Sequence, residues 1–174
     1  VGSFSDLIWG LTRPFVPIRQ VPPYERMAPF YDRMMSHVNY QEWAGYIHRL
    51  IQTFHPHGYR IVEGGCGTGR LMRFLRPLRE DYEIYGFDYS LSMLQKAMKN
   101  NRDCLLGWQG DLREPAFREC DIFLCLYDSI HYLEADELSR FFRQTGTRLG
   151  KRGILIFDCV TRLHVLRFWD HFSE

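Results

Sequence analysis

Three glycines at alternate positions, Gly65, Gly67 and Gly69, constrain the fold of this chain more than any other sequence feature. A short apolar run that ends at Glu63 precedes them, and apolar residues at helical spacing follow them. This order predicts a strand, a glycine turn and a helix, which together open a nucleotide-binding α/β unit. Glycine lets the chain turn sharply and lets a ligand touch the backbone, because no Cβ intervenes.

The spacing of the glycines distinguishes between classes of nucleotide. The dinucleotide fingerprint is G-x-G-x-x-G, whereas residues 65–69 read G-C-G-T-G, with Glu63 two residues before the first glycine. No lysine follows the turn, so a phosphate-cradling P-loop is excluded. The turn resembles the first motif of the class I S-adenosylmethionine (SAM) dependent methyltransferases. The resemblance implies that Glu63, Gly65, Cys66 and Gly67 contact SAM, which has no pyrophosphate.

Two later strand ends carry further contacts. Asp88 ends a predicted strand about twenty residues after the glycine turn, where an acid binds ribose hydroxyls in nucleotide folds. The run G-F-D-Y-S-L-S-M-L resembles the second motif of the same family, which implies that Tyr89 and Met93 flank the adenine. The G-D pair that ends at Asp111 also resembles the family pattern. By that resemblance, Asp111 accepts from the adenine amine and the backbone N–H of Leu112 donates to a ring nitrogen.

The cap and the fourth strand extend the resemblance. F-Y-D-R-M-M and Y-Q-E-W-A resemble the N-terminal helical cap of small-molecule methyltransferases, which implies that Tyr31 reaches the SAM carboxylate. After the fourth predicted strand, Y-D-S-I-H-Y-L resembles Y-D-S-L-N-Y-L of one branch, and this places Leu126 and Tyr127 at the cofactor. His131 stands where Asn is usual. An imidazole is a common general base, and a positioning role or a plain loop histidine is the alternative.

Strands and helices alternate five times after the cap, which predicts an α/β, Rossmann-like parallel sheet with helices on both faces. Residues 1–23 read as a tail or linker, and residues 24–174 read as one domain with a helical cap (24–57) and a nucleotide-binding core (58–174). The predicted strands span 59–63, 83–87, 104–109, 121–126 and 153–160. We also predict helices over 68–78, over 135–149 (stopped by Gly150) and over 161–174.

The chain departs from the family pattern in two ways. Gly64 stands where the family prefers an apolar residue, which predicts looser packing beside the turn. The last two strands of the seven-stranded family sheet are absent, so we expect the natural protein to continue past Glu174. An apolar strand five is an unsuitable free edge, because such edges aggregate. Self-association through that edge is the alternative way to cover it.

Composition limits the function classes. Hydrophobic residues make up 45% of the 174 residues and the net charge is +1, which indicates one globular domain with no sign of nucleic-acid binding. No apolar run approaches the ~20 residues of a membrane span. Five cysteines without a C-x-x-C pair indicate reduced thiols in a cytoplasmic protein, rather than disulfides or a metal site.

The sequence therefore predicts methyl transfer from SAM to a nitrogen or oxygen atom of a small-molecule acceptor. Two alternatives stay open. One is a catalytically inactive SAM-binding module of a larger protein. The other is a nicotinamide-dependent oxidoreductase, which the glycine spacing and Asp111 disfavour.

Overall fold

The computed structural model describes residues 24–101 and 106–161. Three predictions fall wholly or mostly outside these ranges. They are the tail over residues 1–23, the start of the third strand at Cys104 and Leu105, and the helix over 161–174, of which only Thr161 is described.

Five parallel strands form one sheet in the order β3-β2-β1-β4-β5. Their bounds are Arg60–Gly64 (β1), Glu83–Asp88 (β2), Leu106–Gln109 (β3), Cys120–Cys125 (β4) and Leu149–Phe157 (β5). The strand order reverses between β1 and β4, and ligands of open α/β sheets bind outside the carboxyl ends of strands at such a reversal. The predicted fold class is confirmed.

Five α-helices lie among the described residues: Ala28–Met34 (α1), Tyr40–Phe54 (α2), Arg70–Leu75 (α3), Leu91–Asn100 (α4) and Ala135–Arg148 (α5). Asn39 caps α2 and Ser90 caps α4, each by accepting a backbone N–H. Helix α3 is shorter than predicted. The chain tightens into a 3-10 turn at Arg76–Leu78, because Pro77 has no N–H for a helical hydrogen bond.

The join between α5 and β5 also differs from the prediction. Gly150 does not stop the helix, because α5 ends at Arg148 and β5 begins at Leu149 rather than at Gly153. Leu149 pairs with Cys120, and a shift of register then separates this pair from the regular pairing of Ile154 with Ile122. The irregularity lets the strand start directly after the helix.

Apolar side chains pack on both faces of the sheet. Helices α2, α3 and α4 cover one face with residues such as Ile47, Leu71 and Leu94, and α5 covers the other with Phe141. The looser packing predicted at Gly64 is wrong. A Cβ there would lie 2.7 Å from Leu112 Cδ2, because neighbouring side chains already fill the space. The glycine fits the packing rather than weakening it.

Strand β5 lies at one edge of the sheet, and no strand of the described ranges covers its outer side. Among the helices that the structure describes, none is both long enough and apolar enough to cross a membrane. Of the cysteines, Cys66, Cys120 and Cys125 are buried, Cys159 is exposed, and Cys104 lies outside the described residues.

Candidate functional site

A cavity of about 310 Å³ opens beyond the carboxyl ends of β1, β2 and β4, under the residues of the cap. Most of the site residues predicted from the sequence line it. These are Tyr31, Glu63, Gly65, Cys66, Gly67, Asp88, Tyr89, Met93, Asp111, Leu112 and Tyr127. Leu126 and His131 are absent from the lining.

The glycine turn forms the floor of the cavity. Gly65, Gly67 and Gly69 have φ values of 70°, 54° and 71°, in the left-handed region that favours glycine. A Cβ on Gly65 would also lie 2.7 Å from Ser129 Oγ. The backbone N–H of Cys66 donates to the Phe87 carbonyl at 3.0 Å and so fixes the turn to β2. The turn therefore presents bare backbone to a ligand.

Asp88 is held at the end of β2 by two backbone hydrogen bonds. Its Oδ2 accepts from Gly67 N and its Oδ1 from Ser90 N, each at 2.8 Å. Burial raises the pKa of Asp88, and these two bonds oppose that shift. An ionised carboxylate has roughly four lone-pair positions, so two remain for the two donors of a ribose diol.

Glu63 is a buried carboxyl group at the cavity wall, with 2% of its surface exposed. Its Oε2 has no hydrogen-bond partner among the described residues. Burial, followed by the charges of Asp88 and Asp158, raises the pKa of Glu63 to about 8. A buried carboxylate without a partner is costly, so a cationic ligand that reached it would offset the cost.

Asp111 occupies the turn after β3. Its Oδ1 accepts from Arg113 N at 2.9 Å, and its Oδ2 lies 3.2 Å from Arg113 Nη1. The carboxylate thus forms the turn and also faces the cavity, and its predicted contact with an adenine amine stays a prediction. Met93 is buried and Tyr89 is half exposed, and both line the cavity, whereas their contact with an adenine stays a prediction.

His131 and Leu126 differ in placement from the other predicted residues. His131 Nε2 accepts a hydrogen bond from the backbone N–H of Val160 at 2.8 Å, so the lone pair that a general base would use is already engaged. This geometry favours the positioning alternative, and the base role stays a prediction. Leu126 is buried in the core on the α2 side of the sheet, so its side chain does not face the ligand space.

Sequence reasoning missed the aromatic residues that join the cap to the core. Tyr24 and Tyr132 both line the cavity and their hydroxyls share a hydrogen bond, and the ring of Tyr31 packs edge-on against Tyr24 at 6.0 Å. Tyr40 lines the inner wall and packs against Tyr127, 5.1 Å away. Tyr132 lies in the quoted Y-D-S-I-H-Y-L run, whereas Tyr24 carries no periodic signal.

Asp158 was also missed, although it ends the apolar run of strand five. Its carboxylate accepts from Tyr127 N at 3.1 Å and from Asp128 N at 3.2 Å. Both residues have positive φ, 55° and 61°, which is uncommon for residues with a side chain. Asp158 therefore holds the turn after β4, and with it the position of Tyr127 at the cavity.

Residues 61–153 match a family model described as a methyltransferase domain. YqeM of Bacillus subtilis (strain 168) is 31% identical to this chain over 140 residues. A protein of Geobacillus sp. (strain WCH70) is 29% identical over 157 residues. Both relatives are named as methyltransferases. The matches cover 78% and 87% of this chain. The chain spans 54% and 61% of the length of these relatives.

Another relative has a different named activity. The carboxy-S-adenosyl-L-methionine synthase of Campylobacter jejuni (strain ATCC 700819 / NCTC 11168) is 26% identical over 136 residues, which cover 76% of this chain and 54% of that protein.

Solved structures share the fold at lower identity. A SAM-dependent methyltransferase from Clostridium acetobutylicum ATCC 824 superposes with a TM-score of 0.71 at 24% identity, over 83% of this chain and 60% of that chain. The sugar N-methyltransferase KedS8 from Streptoalloteichus sp. ATCC 53650 gives a TM-score of 0.67 at 24% identity, over 75% of this chain and 53% of that chain.

Proposed function

Because this chain belongs to the methyltransferase domain family, we propose that it binds SAM in the cavity beyond β1, β2 and β4. We further propose that the whole protein transfers the SAM methyl group to a nitrogen or oxygen atom of a small molecule.

The observation that carries the proposal is the buried carboxyl of Glu63 beside a cavity that Asp88 and Asp111 also line. SAM carries a sulfonium and an ammonium group, so its methionine half suits an acidic wall. A nicotinamide dinucleotide would instead bring a pyrophosphate close to these acids, and like charges repel. The electrostatics of the cavity therefore favour SAM over the oxidoreductase alternative.

The residues present fit SAM group by group. Asp88 has free lone pairs for the ribose diol, and the bare backbone of the glycine turn allows the ligand to approach closely. Asp111 and Leu112 would read the adenine edge, and Glu63 would meet the ammonium of the amino-acid tail. Tyr31 is the cap hydroxyl predicted to reach the SAM carboxylate. These roles stay proposals.

Bound SAM supplies an electrophilic methyl group. The protein must hold the acceptor atom in line with the breaking C–S bond, roughly 3 Å from the methyl carbon, and exclude water. Tyr24 and Tyr132, which line the cavity and share a hydrogen bond, would be among the residues that contact an acceptor. A neutral amine needs no base before attack, which agrees with the engaged lone pair of His131.

Similarity of fold to the sugar N-methyltransferase KedS8 supports a nitrogen atom as the acceptor. The name of KedS8 states that it methylates nitrogen on a sugar, and the tyrosines that line the cavity here are consistent with an amine acceptor of similar size. The buried reduced thiols further support a cytoplasmic protein.

The test is turnover with methyl-labelled SAM and a panel of small amines and alcohols, including amino sugars. We expect label transfer to at least one amine, and a matched Asp88→Ala variant should lose most of it. SAM binding without transfer to any acceptor would identify the alternative, a catalytically inactive SAM-binding module.

A further inference from the structure

We propose that Arg70 binds the carboxylate of the methionine tail of SAM, so that Arg70 and Glu63 together make this end of the cavity specific for a zwitterionic amino acid. The inference rests on the proposed function. It differs from the sequence-based prediction, which gave the carboxylate to Tyr31.

Arg70 is held in place by two contacts with uncharged groups. It is the first residue of α3, directly after the glycine turn, and it lines the cavity. Its guanidinium carbon lies 4.7 Å from the centre of the Tyr40 ring, and its Nη1 donates to the Asp32 carbonyl at 3.0 Å. These contacts orient the planar group while leaving most of its five donors available.

Arg70 is also a cation without an acidic partner within the described ranges. Two other cations near the cavity are already paired, since Arg113 contacts Asp111 and Glu137, and Lys96 contacts Asp32. Arg70 forms no ion pair with a described residue. Its guanidinium can therefore accept a carboxylate in the two-point geometry that arginine prefers.

The cavity is thus lined by one cation, Arg70, and by two carboxyl groups, Glu63 and Asp88, that have no oppositely charged partner among the described residues. Arg70 and Glu63 therefore do not neutralise each other. A free amino-acid group offers an ammonium and a carboxylate on one carbon, and it can satisfy both Glu63 and Arg70. Tyr31 is neutral near pH 7, because burial raises its pKa further, so it offers only a neutral hydrogen bond. A charge-assisted bond from Arg70 is stronger.

The experiment compares two ligands that differ only in the carboxylate. S-adenosylhomocysteine and its decarboxylated analogue are titrated calorimetrically into the wild type, Arg70→Met, Arg70→Lys and Tyr31→Phe. Arg73→Met is the matched control, because Arg73 is exposed on the same helix and does not line the cavity.

We expect the wild type to bind S-adenosylhomocysteine more tightly than the analogue. Arg70→Met should lower the affinity for S-adenosylhomocysteine roughly ten- to a hundredfold and leave the affinity for the analogue unchanged. Arg70→Lys keeps the charge without the two-point geometry, so its affinity for S-adenosylhomocysteine should lie between those of the wild type and Arg70→Met. Arg73→Met should bind both ligands as the wild type does. If Arg70→Met does not fold, the test uses Arg70→Lys, whose ratio of affinities for the two ligands should be smaller than that of the wild type.

Other outcomes overturn the inference. Equal weakening of both ligands in Arg70→Met would show that Arg70 only supports the cap through Asp32. Loss of discrimination in Tyr31→Phe alone would assign the carboxylate to Tyr31. Both results leave the proposed function standing, whereas a wild type that binds neither ligand would overturn the proposed function as well.

Discussion

Replacing Glu63 by Gln should make stability less dependent on pH. The pKa of Glu63 in the folded protein is about 8, above its ordinary value of 4.5. Between these pH values the folded protein holds a proton that the unfolded chain has released. The free energy of unfolding that depends on Glu63 therefore falls as pH rises through this window, by about 1.4 kcal/mol per pH unit.

The magnitude follows from the width of the window. From pH 4.5 to about 8 the Glu63 contribution totals up to about 5 kcal/mol. Gln is nearly isosteric with protonated Glu and does not titrate. After burial, the charge of Asp88 contributes to the raised pKa of Glu63, so the two carboxyl groups titrate as a coupled pair, and the comparison with Glu63→Gln reports the pH dependence of that pair.

The assay is urea unfolding of wild type and Glu63→Gln without ligand, at pH 5.5, 6.5 and 7.5. The variant should gain about 2–3 kcal/mol relative to the wild type over these two pH units. The same variant should lose SAM affinity, because it lacks the negative charge that meets the ammonium. A stability difference constant to within about 0.5 kcal/mol across this range would refute a buried, proton-holding Glu63.

Three further predictions concern other parts of the site. Asp88→Ala should weaken SAM roughly ten- to a hundredfold in calorimetry, because a hydrogen bond to a charged group is worth about 1.5–3 kcal/mol, and unchanged affinity in a folded variant would remove its ribose role. His131→Asn should keep the acid limb of the pH–rate profile, because Nε2 already accepts a backbone hydrogen bond; a flattened limb would instead identify a general base. Gly65→Ala should abolish SAM binding, because its φ is 70° and the new Cβ would lie 2.7 Å from Ser129 Oγ, whereas Gly146→Ala, with nothing within 4 Å, is the control and should bind normally.

The glycine turn and the strand ends could be predicted because their signals are local in the sequence. Positive φ values fall on the spaced glycines, and Asp88 ends its strand about twenty residues after the glycine turn, as predicted. Since the carboxyl ends of parallel strands share one edge of a sheet, these local signals also bring the residues together. Membership of the SAM-dependent methyltransferases, predicted from the same motifs, is confirmed by the family match.

The parts that were missed depend on contacts between distant segments. Tyr24 and Tyr132 are 108 residues apart, and their contact exists only because the cap docks over the loop after β4. Asp158 holds the turn at Tyr127 across 31 residues. The pairing of His131 with a backbone N–H likewise requires the end of β5 to lie beside its loop. No periodicity or spacing in the sequence encodes these arrangements.

The early start of β5 has a similar cause. Helical spacing continues to Leu149, so the sequence pattern favours a helix there, but pairing with Cys120 draws the residue into the sheet. Packing also explains the misreading of Gly64, whose space is filled by side chains from β2, β4 and the turn after β3. In both cases tertiary contacts override a local preference.

The most direct test of the account is calorimetric titration of the 174-residue chain with SAM and, separately, with NAD at equal concentrations. The acidic cavity predicts saturable one-to-one binding of SAM, no detectable heat with NAD, and competition between SAM and S-adenosylhomocysteine for the same site. Binding of NAD with no binding of SAM would contradict the assignment of Glu63, Asp88 and Asp111 to a cationic cofactor.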